Sequence, residues 1–523
     1  MRNEMKEAEL LNLKIDSLLN NEAYSDALEI LENQKIKFLK SPKKDFYLLD
    51  GIASGFIDVG CESSNEEIIE IGLSLFAQYR EELKKYISED RFEYCIGNAQ
   101  QGLFETKVEK NLNYFPKLEI VKDLLFPSKE SFLKAFKKIN LQTLKNSDLN
   151  ILTNLGNNLS NSGRIVESLQ LYDTVLLSNK KFPHAILAKA NRLFRLQSQT
   201  NIKITIFLLI KTYSLYDLIK NENSFPQNCR SDIKLAMQIC ISKLKNENYD
   251  IDSLDFKKEE ELNKIEYLNH SPKIRFYLDN FLSLSEHGLY CKCNGAKYDD
   301  LMIGYSGFIT KSDKVVHLEQ LLNRVKSEFS LAREMFYEYK TQELEDNLHY
   351  ETFGKSGTLY GTKAEKLRTS FRICFGILDK IAEGICYLFE IQKGKNENVY
   401  FESFWKKERN LQKLCQRWEK LNSIKNIHLT ALYSIACDLN KKNGEFGFYK
   451  EWRNQLEHGV FSLTTTQEEL DLISGSLFGE CVLESDFAIK AKHLLQLTRA
   501  AIFSYTFCVR QEMSGEIENN GRP

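Results

Sequence analysis

Only seven prolines interrupt 523 residues, and along the stretches between them apolar side chains recur at three- and four-residue steps. Together these features make the fold class all-α. Val- and Ile-rich runs alternating regularly with helices, which would announce a parallel sheet, do not occur.

A chain this long exceeds one ordinary core and divides into about two to four domains. With 42% hydrophobic and 28% charged residues it has the composition of a folded, water-soluble protein. A net charge of −2 means that any nucleic-acid surface must be local. The N-terminus has no apolar signal core, and the apolar runs at 202–219 and 371–391 are broken by Lys211, Asp217, Asp379 and Lys380, so no membrane span is expected. The twelve cysteines are mostly isolated in apolar helical settings, such as Cys240, Cys374, Cys386, Cys437 and Cys508. They read as small core residues in a reducing cytoplasm.

In the N-terminal half, Leu155, Gly156, Leu159, Gly163, Arg164, Ser168, Tyr172 and Val175 follow the spacing of a tetratricopeptide repeat (TPR). Small residues stand where paired helices approach, and large ones fill the gap. Ala185 and Ala190 open a partner repeat, and Leu18, Ala27, Leu28 and Leu31 fit the pattern more loosely. Residues 1–250 are therefore expected to form a TPR-like helical solenoid. Its task is either partner binding and sensing or plain structural support.

Residues 251–313 form a connector. The charged stretch 246–261 reads as a linker, and Gly295, Gly304 and Gly307 mark turns around a short strand at 298–309. Within it, His287, Cys291 and Cys293 offer three metal-ligand types at His-x3-Cys-x-Cys spacing. A structural zinc site wants four, so the sequence favours a packed connector, with no metal or cofactor expected.

Helices return over 315–342, 362–391, 404–421, 427–440, 446–458 and 483–512, within a C-terminal domain spanning 314–513, and the polar tail 514–523 is expected to fray. The 446–458 helix ends in Arg453-Asn454-Gln455-Leu456-Glu457-His458, just before Gly459. Arg supplies a permanently charged fork suited to phosphate, and His exchanges protons near neutral pH, so the pair suffices to cleave a phosphodiester without metal. Asn454 shares a helix face with His458. A plainer reading also fits: Arg453 and Glu457 as an i,i+4 ion pair, with His458 capping the helix.

The stretch Ser370-Phe371-Arg372, running on through Leu378-Asp379-Lys380-Ile381-Ala382, together with Asp438-Leu439 and the Arg453-x4-His458 motif, resembles the HEPN superfamily of small helical bundles. More closely, it is similar to a bacterial branch joining a TPR-like N-terminal region to a HEPN domain; residues 153–157 and 162–164 share that likeness. The resemblance covers about residues 145–512. It implies a metal-independent endoribonuclease of anti-phage defence or abortive infection, acting as a homodimer or higher homo-oligomer through its HEPN domains, in which two Arg-His motifs share one cleft. Arg453, Asn454 and His458 would then be catalytic, and the ribose 2′-OH would attack phosphorus to leave a 2′,3′-cyclic phosphate. Arg372 and Asp379, seven apart, would buttress the cleft or simply pair across a helix surface.

RNA needs local positive charge. Lys406, Arg409, Lys413, Arg417 and Lys420 fall at three- and four-residue steps in a segment, 405–425, with seven basic and two acidic side chains, and Lys450 precedes the motif. They form either an RNA track or a merely solvated face. Other partners expected are a protein or phage-derived trigger on the solenoid, and no membrane. The alternative function is a non-catalytic adaptor that binds a protein or RNA and dimerises through its HEPN bundle.

Overall fold

The computed structural model describes residues 2–109, 118–140, 143–200, 202–251, 254–304, 313–341, 359, 361–392, 398–405, 411–442, 444–473 and 479–519. Among the described residues the regular structure is helical except for one pair of four-residue strands. Its two compact units are residues 1–162, 168–197 and 206–254, and residues 163–167, 198–205 and 255–523. Among the described residues no helix is long and apolar enough to cross a membrane.

The first unit is a serial helical array in which each helix packs chiefly on those near it in sequence, as in a solenoid. Its most buried member is Phe46–Glu62, whose Ile52, Ala53 and Phe56 are fully covered and which packs against Arg2–Asn20, Tyr24–Lys40, Glu66–Gln78 and Glu89–Glu109. Asp45 starts that helix by accepting from the Tyr47 and Leu48 amides at 3.0 and 3.1 Å. Further along, small residues permit close helix packing. A Cβ on Gly156 would lie 2.5 Å from the Tyr172 ring, so only glycine lets Asn146–Asn161 and Ile165–Ser178 approach this closely. Ala185 and Ala190, both fully buried, line the following helix, Pro183–Leu196.

The second unit is a bundle built on Asp313–Thr341, Thr362–Leu388 and the 36-residue Glu484–Asn519, which pack on one another. Ile427–Asp438 lies against the last helix and is set by Asn426. That side chain caps its own helix through the His428 and Leu429 amides and donates across to the Cys508 carbonyl at 3.0 Å. Gly163 adopts φ +82°, and a Cβ there would come within 2.1 Å of the Ile427 carbonyl oxygen, so it must be glycine twice over. Next to it, the buried Arg164 guanidinium grips Glu167 in a fork, at 2.7 and 2.6 Å, and pairs with buried Asp438.

Several expectations are corrected. The chain is already helical from Phe256, because Asp255 caps the Phe256–Leu268 helix; the 246–261 linker shrinks accordingly. No strand forms over 298–304; the rest of the proposed strand, 305–309, lies outside the described residues. Instead the connector is lashed down by side chains of the bundle: Arg499 donates to the Ser283 carbonyl, Arg510 pairs with Glu286, and Arg333 pairs with Asp299. Residues 401–405 form turns, so the helix expected over 404–421 appears as Leu411–Ser423. The final helix does not stop near 512 but runs to Asn519. Unforeseen was a parallel pair, β1 (Phe461–Thr464) with β2 (Glu480–Leu483), directly after the motif helix.

Burial of histidine makes the bundle acid-sensitive. His428 is 1% exposed and pushed down from 6.5 to about 3 by burial and by Arg510. His493 is brought to about 4, mainly by burial. Both folded-state values are depressed, so below pH 6.5 the unfolded chain takes up protons that the folded one refuses. Stability should therefore fall as pH drops from 6.5 toward 4, by up to ~1.4 kcal/mol per pH unit for each histidine. Urea unfolding across that range checks this, and His428→Leu should flatten the slope.

Candidate active site

Phe448–His458 is only eleven residues long, too short to hold itself, and its order comes from one sunken face. Tyr449 and Trp452, one turn apart, enter an aromatic cluster. Phe371 lies 5.7 Å from Tyr449, while Phe461 and Phe487 lie 5.7 and 5.5 Å from Trp452. Two hydrogen bonds fix the helix further: Tyr449 OH and His493 Nδ1 share one at 2.9 Å, and Trp452 Nε1 donates to Glu480 Oε1 on β2 at 2.7 Å. Since His493 is kept neutral by burial, it can accept that bond. β1 is in turn tied to the residues before Thr362–Leu388, the Leu359 amide donating to the Leu463 carbonyl at 2.7 Å.

Away from that face, Arg453 and Asn454 are half-buried, and His458, the last helical residue, is exposed. Arg453 Nη1 donates to Asn454 Oδ1 at 3.3 Å. Among the described residues Arg453 forms no ion pair with Glu457, so the plainer reading of the hexapeptide loses one of its two supports. The Gly459 amide bonds back to the Gln455 carbonyl at 3.0 Å, and the backbone leaves the helix in an extended conformation.

Charge beside the motif is arranged in alternation. Burial raises the Asp379 carboxyl above its ordinary 3.8, while the Phe401 amide, Arg453 and Lys450 pull it back and Glu402 pushes it up. Asp379 Oδ1 accepts from the Phe401 amide at 2.8 Å. Lys450 forms an ion pair with Glu402. Glu402 has no periodic signal in the sequence, because it sits in the turns after residue 398.

Asp379 thus lies within electrostatic reach of Arg453. Arg372 instead donates to Thr369 at 3.0 Å and, among the described residues, does not pair with Asp379. One member of the expected basic track is corrected. Arg417 stands four residues before fully buried Leu421 and one before buried Trp418, so it shares their inward face; it is 8% exposed and turned toward the Gln392 carbonyl at 3.5 Å. Lys450 is already matched by Glu402. Lys420 is exposed, its ammonium 3.3 Å from the Glu390 carbonyl. Lys406 and Arg409 lie outside the described residues, as does the side chain of Lys413.

In the connector, ligand atoms of His287, Cys291 and Cys293 lie within 4.8 Å of one another. The Cys291 side chain beside it, with help from His287, outweighs burial and holds the Cys293 thiol down to about 4.

The comparisons with known proteins fall on this half of the chain. Residues 309–512 match the family model described as LA2681-like HEPN. No curated protein and no solved structure matches the chain.

Proposed function

We propose that the protein, whose residues 309–512 match the LA2681-like HEPN family model, is a metal-independent endoribonuclease whose site is completed when two copies pair. The observation carrying this reading is that Arg453, Asn454 and His458 lie outside the buried Tyr449–Trp452 face that clamps their helix. Five residues turn a helix through about 500°, so Arg453 and His458 diverge by roughly 140° within one copy. A facing copy supplies what one copy cannot converge on a single phosphate.

In such a cleft the ribose 2′-oxygen bonds to phosphorus while the bond from phosphorus to the 5′-oxygen breaks. One His458 ring takes the 2′-OH proton, and the ring of the second copy protonates the departing 5′-oxygen. Arg453 neutralises the phosphoryl oxygens with its fork, and Asn454, bonded to it, orients that fork. Asp379 is a positioning residue acting through Arg453. The products are a 2′,3′-cyclic phosphate and a 5′-hydroxyl. The helical array of the first unit supplies the surface for a protein or phage-derived trigger, in the cytoplasm, within an anti-phage response.

Mapping RNA ends after induced expression tests this. Cyclic-phosphate ends that persist with EDTA in vitro, and a deoxynucleotide at the cleavage position that blocks cutting, are expected. Intact RNA, both in induced cells and with purified protein, would instead leave the domain as an RNA-binding or dimerising adaptor.

A further inference from the structure

The loop before the bundle holds chemistry that the ribonuclease reading does not use. His287 opens a 3-10 turn, His287–Leu289, and a second turn, Asn294–Lys297, begins right after Cys293. Two tight turns in succession fold the loop back, so residues separated by up to six positions bring one imidazole nitrogen and two sulfurs within 4.8 Å of one another. His287 and Cys291 are half-buried, whereas Cys293 is buried. The main chain is shaped around the same groups. The Cys293 amide donates to Cys291 Sγ at 3.2 Å, a bond that stabilises negative charge on that sulfur. Tyr290 OH lies 2.9 Å from His287 Nδ1 and fixes the ring, and a Cβ on Gly295 would approach the ring to 3.0 Å.

We propose that His287, Cys291 and Cys293 bind one zinc ion, a water molecule taking the fourth position on the exposed side. Two sulfurs and one imidazole are a borderline-soft donor set suited to zinc. A tetrahedral zinc with ~2.3 Å bonds to sulfur holds its sulfurs about 3.8 Å apart, so the cluster need contract by no more than roughly 1 Å. On binding, each thiol that carries a proton releases it to solvent as its sulfur becomes a thiolate ligand. The sequence falls one ligand short of a closed structural site; an open fourth position removes that objection.

The ion's task follows from what the loop holds. The His270 ring bonds to the Lys292 and Cys293 carbonyls at 3.1 and 3.3 Å, and the Ser283 and Ser285 hydroxyls donate to the Ala296 and Gly295 carbonyls. The same loop receives Arg499 from the last helix at the Ser283 carbonyl, 2.6 Å away. Zinc would lock a segment that anchors the longest helix of the bundle, far along the chain from Arg453 and separate from RNA chemistry.

The test uses the full chain, stripped of metal under reducing conditions and titrated with cobalt(II), then zinc(II). One equivalent of cobalt should produce thiolate-to-metal charge transfer and the strong visible bands of tetrahedral coordination, and zinc should erase both. In unaltered protein, zinc should slow alkylation of Cys291 and Cys293 at least ~10-fold, read by peptide mass spectrometry, because a metal-bound thiolate is a poor nucleophile. Cys291→Ser with Cys293→Ser should abolish the cobalt spectrum, and His287→Ala should weaken it. Absence of a thiolate band in the unaltered protein, alkylation of both cysteines unaffected by zinc, or a Cys291–Cys293 disulfide resisting reductant would each overturn the assignment. None of these readouts depends on RNA cleavage, so failure here and failure of the ribonuclease reading are distinguishable.

Discussion

Replacing His458 by alanine is expected to lower RNA cleavage by ~10²–10⁴-fold, the usual worth of a positioned proton donor or acceptor. The helix should stay intact, because His458 is exposed and ends Phe448–His458 without contributing to the aromatic face that holds it. Such surface changes typically alter stability by no more than ~0.5 kcal/mol. Arg453→Ala should cost a further distinguishable loss, ~10²–10³-fold, by removing charge opposite the phosphoryl oxygens. Arg453→Lys should fall between, since an ammonium keeps the charge but lacks the fork. Mixing chains that carry Arg453→Ala with chains that carry His458→Ala adds a sharper check. If the cleft is shared, mixed pairs retain one of each group and should recover part of the activity. Single-turnover cleavage of labelled RNA, alongside the helical circular-dichroism spectrum, measures all of this. Equal rates for unaltered protein and His458→Ala would end the catalytic assignment.

The largest stability effect is expected at Asp438. Its carboxylate is 4% exposed and faces Arg164, itself 2% exposed and forked onto Glu167. Removing one partner of a buried pair leaves the other charge without water or counter-charge, a cost of ~3–5 kcal/mol. Glu167 remains beside Arg164, which places Asp438→Ala at the lower end of that range. Arg164→Met removes the buried charge from the other side. If the penalty is one of unpaired charge, adding Arg164→Met to Asp438→Ala should restore part of what Asp438→Ala loses. Denaturant midpoints of the two single variants and the double variant decide it, and strictly additive losses would mean that packing, not charge, is at stake.

Arg164 and Asp438 also show what the sequence could and could not disclose. Both lie in stretches that stand out when the chain is read alone, Gly163-Arg164 and Asp438-Leu439, yet nothing in either points to the other across 274 residues. Helical class, the order of the main C-terminal helices and small residues at close helix approaches were all legible, because periodicity and small-residue spacing are local properties. Arg417 was misplaced on the basic track for the same reason. Recurrence at three- and four-residue steps places charges on a stripe but does not say which stripe faces inward, and Leu421 with Trp418 decided that for Arg417. Glu402 and the β1–β2 pair were invisible, one sitting in turns and the other formed by two four-residue runs too short to show a period of two. At His287, Cys291 and Cys293 the spacing was plain, but only the double turn brings their donor atoms together.

Trp452 stands directly beside Arg453 in the chain, and its indole is packed among Phe461, Phe487 and Phe371. The other two tryptophans, Trp405 and Trp418, both lie against Tyr433, 5.4 and 5.3 Å from its ring. Phenylalanine at those two positions would leave a single tryptophan whose emission reports the surroundings of the Phe448–His458 helix without any added label. The molecule therefore carries its own optical gauge of the helix that bears Arg453 and His458.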